Sequence, residues 1–109
     1  MSRYFPDESD GARHEIFPGV GIRTVWGTGL MLSLVEMAPR AHVAEHQHPH
    51  EQMGMVLDGR AEFVVGGERQ VLGPGDMYVI PGGVRHAVTA LDAPVRALDV
   101  FNPPREEYK

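Results

Sequence analysis

The sequence of 109 residues has no cysteine, no cluster of basic residues and no apolar segment long enough to span a membrane. Without cysteine, disulfides and zinc–thiolate sites are excluded, so any metal must be held by nitrogen and oxygen ligands. The formal net charge is −5 with histidine neutral, which argues against nucleic acid as a partner. The lack of a long apolar segment argues against a membrane partner.

The N-terminal residues 1–15 lack both a hydrophobic period and the apolar region of a secretory signal peptide, which predicts a cytoplasmic protein. We predict that residues 1–15 form an arm and that residues 16–109 form one small domain. A domain of this size gains stability by association. An arm that a partner subunit could hold, or an edge strand that it could pair with, leads us to predict a homodimer.

No segment between residues 16 and 101 shows a 3.6-residue hydrophobic period of helical length. Short apolar or alternating segments instead recur between turns rich in Gly, Pro and Asp, which predicts an all-β sandwich or barrel. The predicted strands cover residues 21–26, 30–38, 52–57, 60–65, 68–72, 77–80, 86–91 and 95–101. Asp58-Gly59 predicts a hairpin between the third and fourth of these strands. We interpret the methionines at 31, 37, 53, 55 and 77, all on strands, as packing residues.

Histidines are concentrated in one nine-residue segment that begins at His42 and contains four of the six. His46 and His48 are two residues apart, which places both side chains on one face of an extended strand. Gln52 has the same parity, and His86 follows a Pro-Gly-Gly turn that can redirect a side chain. Three or four donors converging about 2.0–2.2 Å from one point make a metal site. We therefore predict that one metal ion is held by His46, His48, Gln52 and His86.

Other interpretations of the histidines remain open. The segment could be an exposed histidine-rich loop, and Gln52 could support the ligands without binding the metal. His42 and His50 are not predicted to be ligands, and His14 has no predicted role. The metal would be one divalent transition ion, and these donors suit nickel, zinc, iron, manganese or cobalt alike.

The C-terminal segment holds a second group of candidate functional residues. Asp99 and Phe101 share a strand face, and the Pro-Pro pair after them ends the strand and holds the next residues extended. Arg105 could then fold back over the barrel, which would combine an acid or base, an apolar wall and a clamp for a carboxylate. The alternative is a solvated tail in which Asp99 pairs with Arg96 or Arg105 at the surface.

These spacings resemble the two sequence motifs of the cupin family. The first motif is matched by His46, His48, Gln52 and Gly59. The second is matched by Gly75, Pro81, Gly83 and His86. The chain departs from the motifs at Arg40 and Ala90, where glycine and asparagine are expected, and at Gln52, where glutamate is expected. The resemblance implies the cupin fold, a double-stranded β-helix or jelly-roll barrel of short antiparallel strands.

Replacing a glutamate ligand by Gln52 would alter the chemistry of the metal. With three neutral imidazoles and a neutral amide, a divalent ion keeps its full charge. That charge favours Lewis-acid chemistry and the binding of an anionic oxygen ligand. Oxidised iron would be stabilised less, so the ligand set is less typical of a dioxygenase.

Within the cupins, the chain is similar to the pectin-degradation cupins that act on 4,5-unsaturated uronates. The similarity runs from FPGV at 17–20, through HPHEQ at 48–52 and GDMYVIPGGVRH at 75–86, to DVFNPPREEY at 99–108. It implies metal ligands at His46, His48, Gln52 and His86. It implies catalytic roles for Asp99, Phe101 and Arg105.

The resemblance also implies an enzyme of the metal-dependent hydrolase or lyase type with a small anionic, sugar-like substrate. An unsaturated monouronate would be hydrated and ring-opened to a linear 5-keto-4-deoxyuronate. Asp99 would transfer protons, Arg105 would pair with the substrate carboxylate, and Phe101 would pack on the ring. Arg23 or Arg60 could add charge, although parity places neither in the cavity. The alternatives are a metal-dependent oxygenase, cyclase or isomerase on another small molecule, and a small-molecule-binding cupin without activity.

Overall fold

The computed structural model describes residues 4–109, which form ten β-strands and one short 3-10 helix. The strands are β1 Ala12–Phe17, β2 Val20–Trp26, β3 Met31–Met37, β4 His42–His46, β5 Glu51–Asp58, β6 Ala61–Val65, β7 Glu68–Leu72, β8 Met77–Ile80, β9 His86–Ala90 and β10 Val95–Asn102. The 3-10 helix is Glu106–Tyr108. Within residues 4–109, no helix is long and apolar enough to cross a membrane. The all-β prediction is confirmed.

The strands form two antiparallel sheets that face each other. The six-stranded sheet has the order β1-β2-β3-β10-β5-β8, and the four-stranded sheet has the order β4-β9-β6-β7. The last strand, β10, therefore lies at the centre of the larger sheet, hydrogen-bonded to β3 on one side and β5 on the other. This is the jelly-roll arrangement that the cupin resemblance implies.

The hydrophobic core lies between the sheets and takes alternate residues from each strand. On β2 the buried residues are Val20, Ile22 and Thr24, and Phe63 faces them from β6 in the smaller sheet. Alternation follows from the strand period of two, which sends successive side chains to opposite faces. Full burial of an apolar side chain contributes about 1.5–3 kcal/mol. The two inward faces therefore hold the sheets together.

The predicted hairpin at Asp58-Gly59 is wrong. β5 pairs with β10 and β8, whereas β6 pairs with β7 and β9 in the other sheet. Gly59 has φ +77°, and a Cβ there would collide with the carbonyl oxygen of Pro94. The sequence thus identifies a turn that requires glycine. It does not specify which strands pair, and here the chain crosses from one sheet to the other.

The first strand begins within the segment predicted to be an arm. Residues 12–15 belong to β1 and pair with β2, with Arg13 opposite Arg23 and His14 opposite Ile22. Residues 1–3 of the predicted arm lie outside the described residues. β1 is an edge strand with alternating charged residues, so it lacks the apolar alternation by which the other strands were identified.

Arg40 adopts a left-handed backbone conformation, with φ +66°. Its backbone N–H donates to the carbonyl of Leu91 at 2.9 Å, and its side chain pairs with exposed Asp92. A residue with a Cβ pays about 1–2 kcal/mol for this conformation. The position is the one at which the cupin motif expects glycine, and the backbone gives the physical reason for that expectation.

Candidate metal centre

The four predicted ligands come from both sheets and meet at one end of the barrel. His46 is the last residue of β4 and lies opposite His86, the first residue of β9. Gln52 is in β5 of the other sheet. His48 lies in the loop between β4 and β5, so the expectation that it shares a strand with His46 is wrong. Pro49, which lacks an N–H, follows His48 at the point where the chain leaves the smaller sheet.

The three histidines satisfy the geometric requirement for holding one ion. Ligand nitrogens of His46, His48 and His86 all lie within 4.8 Å of one another. The ring centroids of His46 and His86 are 4.3 Å apart, and those of His48 and His86 are 5.0 Å apart. His48 and His86 are buried, whereas His46 is partly exposed. This triad could hold a metal ion.

The hydrogen bonds of the histidines orient one nitrogen of each ring. Nδ1 of His46 lies 2.9 Å from the carbonyl of Ala44, and Nδ1 of His86 lies 2.9 Å from that of Val84. Nδ1 of His48 lies 3.1 Å from the carbonyl of its neighbour His50. A carbonyl oxygen can only accept, so each Nδ1 carries the proton and each Nε2 keeps its lone pair. This is the pattern that metal-ligating histidines show.

The surroundings of Nε2 in His86 and in His48 indicate that these atoms could bind one cation. The Nε2 of His86 is buried without a hydrogen-bond partner. The Nε2 of His48 is 3.0 Å from Oε1 of Gln52, and with Nδ1 protonated both atoms are acceptors. Two ligand atoms bound at right angles, each about 2.1 Å from one ion, lie about 3.0 Å apart. The donor set therefore fits a cation bound by three imidazoles and one amide oxygen.

Burial keeps His48 and His86 in the form that binds metals. It lowers the pKa of His86 to about 4, and nearby positive charge adds to the effect. Burial also lowers the pKa of His48, and the guanidinium of Arg105 contributes to that shift. Both rings are therefore neutral at pH 7. Metals bind neutral imidazole, so no proton needs to be displaced from these nitrogens.

Asp99 is buried beside the ligands, at the centre of β10. The hydroxyl of Tyr78 donates a hydrogen bond to Oδ1 of Asp99. Burial raises the pKa of Asp99 to about 6, while hydrogen bonds from Tyr78 and Gln52 oppose that rise. Burial also raises the pKa of Tyr78, which therefore stays a donor. The result is an oriented carboxyl group that can carry a proton near neutral pH.

Tyr78 was not identified from the sequence, although two signals point to it. It shares an inward face of β8 with buried Ile80. Gly54 is an isolated glycine within β5, a pattern typical of close approach by another group. A Cβ at Gly54 would collide with both Asp99 and Tyr78. The glycine therefore leaves the space in which the tyrosine–aspartate pair forms.

Arg105 is buried despite its position near the C-terminus, with only 7% of its surface exposed. Its guanidinium carbon lies 4.1 Å from the Tyr108 ring centroid and 5.4 Å from that of Phe101. One terminal nitrogen pairs with Glu107 at 3.0 Å, while Nε has no partner. Thr24 donates to the carbonyl of Tyr108 at 2.6 Å and so holds this segment against β2.

The alternative of a solvated tail with a surface Asp99 is not observed. Arg96 pairs with Asp58, and Arg105 pairs with Glu107. Asp99 is 8% exposed and faces the interior.

One cavity brings most of the predicted residues together. Its wall includes His46, Gln52, His86, Asp99, Phe101 and Arg105. The space that it encloses measures about 60 Å³. Arg23 and Arg60 are not among the lining residues. His42 is exposed and hydrogen-bonded to Thr89, whereas His50 supports His48 through its carbonyl.

Comparisons with known proteins agree with this architecture. The family model described as "Cupin domain" matches residues 33–101. The chain is 31% identical over 110 residues to the pectin degradation protein KdgF of Dickeya dadantii (strain 3937), and the match covers 99% of each. It also resembles the solved structure of KdgF from Halomonas sp., with 30% identity, a TM-score of 0.83 and coverage of 93% of this chain and 94% of the other.

A second solved structure matches nearly the whole fold. It is an RmlC-like cupin from Shewanella frigidimarina NCIMB 400, 25% identical, with a TM-score of 0.89 and coverage of 99% of this chain and 97% of the other. These matches confirm the resemblance inferred from the motifs. Because the family model covers more than half of the chain and one relative matches at full length, the chain belongs to the cupin family.

Proposed function

We propose that the protein converts 4,5-unsaturated monouronates to linear 5-keto-4-deoxyuronates in a metal-dependent reaction. The observation that carries the proposal is the meeting of Asp99, Phe101 and Arg105 with the candidate ligands around one cavity. A binding protein would need no proton-transfer group beside its metal. The full-length similarity to a pectin degradation protein supports the substrate class.

The proposed reaction begins with addition of water across the ring double bond between C4 and C5. A proton is delivered to C4, and the water oxygen bonds to C5, which gives a hemiketal with the ring oxygen. The bond between C5 and the ring oxygen then breaks, as the new hydroxyl loses a proton and the ring oxygen gains one. The product is one linear molecule with a ketone at C5 and a hydrated aldehyde at C1, which gives the aldehyde on loss of water.

In this scheme Asp99 transfers the proton. Its burial favours the protonated form, and the Tyr78 hydroxyl fixes the orientation of the carboxyl group through Oδ1. A general acid works best with a pKa near the working pH, and a positioned acid or base typically contributes about 10²–10⁴-fold. After the proton leaves, Tyr78 and Gln52 stabilise the carboxylate.

Arg105 and Phe101 are proposed to bind the substrate. The unpartnered Nε of Arg105 can donate to the substrate carboxylate, and burial strengthens a charge-assisted hydrogen bond of this kind. The Arg105 guanidinium is held by Glu107 and the Tyr108 ring, so little ordering remains when the substrate binds. The Phe101 ring supplies an apolar wall for the sugar ring.

The ligand set is proposed to be His46, His48, Gln52 and His86. A divalent ion there would supply Lewis acidity toward the carboxylate and ring oxygens of the substrate. Because all four donors are neutral, the site would keep a net positive charge. That charge favours an anionic substrate over a neutral sugar.

Loss of ultraviolet absorbance tests the proposal. The double bond conjugated with the carboxylate absorbs, and saturation of that bond removes the signal. We expect absorbance to fall on adding enzyme to an unsaturated monouronate, to persist when the enzyme has been treated with chelator, and to fall again after metal is restored. No loss in any of these arms would contradict the proposed function.

The competing functions are distinguished by two further measurements. Oxygen consumption with candidate substrates would indicate an oxygenase. Saturable binding of the uronate without turnover would indicate a binding protein.

A further inference from the structure

One polar side chain interrupts the apolar inward face of β3. Ser33 shares this face with Met31, Val35 and Met37. It is 1% exposed, and its Oγ is buried without a hydrogen-bond partner within residues 4–109. A buried hydroxyl that stays unpaired costs free energy, which an alanine at the same position would avoid. The presence of the hydroxyl is therefore explained if it contacts a molecule that enters the cavity.

Ser33 belongs to a row of polar residues that crosses the larger sheet. It lies opposite Thr24 of β2 on one side and opposite Asp99 of β10 on the other. The row continues from Asp99 through Gly54 to Tyr78. The hydroxyl of Thr24 donates to a backbone carbonyl, and the hydroxyl of Tyr78 donates to Asp99. Of the three hydroxyls in the row, only that of Ser33 lacks a partner among the described residues.

The carboxyl group of Asp99 leans away from Ser33. Its Oδ1 accepts the hydrogen bond from Tyr78 and lies over Gly54 of β5, on the side of β10 that faces away from β3. Side chains directly opposite on antiparallel strands have Cβ atoms about 4.5–5.5 Å apart. Two oxygens that share one bridging water are separated by a similar distance, since each hydrogen bond measures about 2.8 Å. The gap between Ser33 and Asp99 therefore suits one water molecule.

The position of Ser33 in the cavity favours water over a sugar hydroxyl as the bound group. Ser33, Gln52, Asp99 and Phe101 line the same cavity. Gln52 and Phe101 lie opposite each other in the neighbouring row, toward the end of the barrel where the histidines meet. A sugar ring packed on Phe101 would leave Ser33 and Asp99 beyond the ring, deeper in the barrel. The enclosed space of about 60 Å³ exceeds the share of about 30 Å³ that one water has in the liquid.

We propose that Ser33 and Asp99 hold the water molecule that adds to C5 of the unsaturated uronate, an inference that rests on the proposed function. The Oγ of Ser33 accepts a hydrogen bond from one O–H of this water and so fixes its orientation. Asp99 gives its proton to C4, where the electrons of the double bond form the new C–H bond. A lone pair of the water then forms the bond to C5, and one proton of the water passes to the Asp99 carboxylate. The atoms balance, and Asp99 regains its proton.

Ser33→Ala tests the proposal in the ultraviolet assay. We expect kcat to fall about 10–100-fold with KM for the uronate unchanged, because the hydroxyl orients the water and does not contact the sugar. The matched control is Thr89→Val, which removes a hydroxyl bonded to His42 outside the cavity and should keep both parameters. If the wild type is active and Ser33→Ala keeps its kcat, this inference alone is overturned. Lack of turnover by the wild type would overturn the proposed function, and the step at C5 with it.

Two further results would also decide against the water site. A change confined to KM would assign the hydroxyl to the substrate, and a loss of stability with unchanged kinetics would assign it a structural role. If Ser33→Ala fails to fold, a high-resolution crystal structure of the wild-type protein keeps the test decisive. It should show an ordered water within about 3.2 Å of both the Ser33 Oγ and a carboxylate oxygen of Asp99. Lack of a water at that position would overturn the proposal.

Discussion

Each face of the six-stranded sheet carries exceptions to the usual distribution of polar and apolar residues. On β10, Asp99 points inward and is buried, while Leu98 and Val100 point outward on a partly exposed surface. On β5 the same is true of buried Gln52 and exposed Met53. Buried polar groups and exposed apolar patches are the informative exceptions to hydrophobic burial. The inward face therefore carries the buried polar groups of the candidate metal centre, and the outward face carries an exposed apolar surface.

The largest effect is expected from removing an inward ligand. His86→Ala should abolish stoichiometric metal binding, because it deletes the Nε2 that lies buried among the other donors. Metal content by mass spectrometry after dialysis measures this. His42→Ala, which removes an exposed histidine bonded to Thr89, is the matched control and should keep its metal. Equal metal content in the two variants would contradict the predicted centre.

Asp99→Asn should lower kcat by about 10²–10⁴-fold, because the amide cannot exchange a proton at that site. Turnover is measured by ultraviolet absorbance. The control on the opposite face of the same strand is Arg96→Gln, which also removes one charge but only disrupts an exposed ion pair with Asp58. It should retain wild-type kcat. Full turnover by Asp99→Asn would contradict the proposed role of the carboxyl group.

Gly54→Ala should destabilise the fold by about 1–3 kcal/mol, because its Cβ would force Asp99 and Tyr78 apart. Chemical denaturation measures the loss in free energy of unfolding. Gly29→Ala is the control, since a Cβ at Gly29 meets nothing within 4 Å. Equal stability of the two variants would mean that the tyrosine–aspartate pair has room to move.

Tyr78→Phe should have the smallest effect, a fall in kcat of about 10-fold with little change in KM. The ring still packs on Phe63, whose centroid lies 4.5 Å away, but Asp99 loses a hydrogen bond. Steady-state kinetics separate the two parameters. A change confined to KM would instead indicate that the hydroxyl contacts the substrate.

Features of the fold and the site that depend on a local pattern could be predicted from the sequence. Period-two alternation and glycine turns predicted eight of the ten strands to within one or two residues of their ends, and motif spacing predicted the histidines that meet. The left-handed backbone at Arg40 explains why the motif expects glycine there. Two strands were not predicted with bounds: β4 lies in the histidine segment, and β1 has charged residues on one face and only partial burial on the other.

Features that depend on which strands pair could not be predicted from local sequence patterns. Gly59 marks a turn in either a hairpin or a crossing between sheets, and only the remaining strands decide between them. Tyr78 becomes a partner of Asp99 because β8 and β10 both pair with β5, at the position of Gly54. Met53 and Met77 lie on strands, as buried Met31 does, but they occupy positions whose side chains point outward.

The central position of β10 also sets the order in which the protein can become functional. Its partners, β3 and β5, are synthesised long before it, and without it they are not joined to each other. Such distant pairing is slow to form, because the loops between the strands must close first. The strand that joins the two parts of the sheet also carries Asp99 and Phe101. A nascent chain therefore acquires its complete sheet and its candidate acid in the same step, and a chain that ends before Val95 acquires neither.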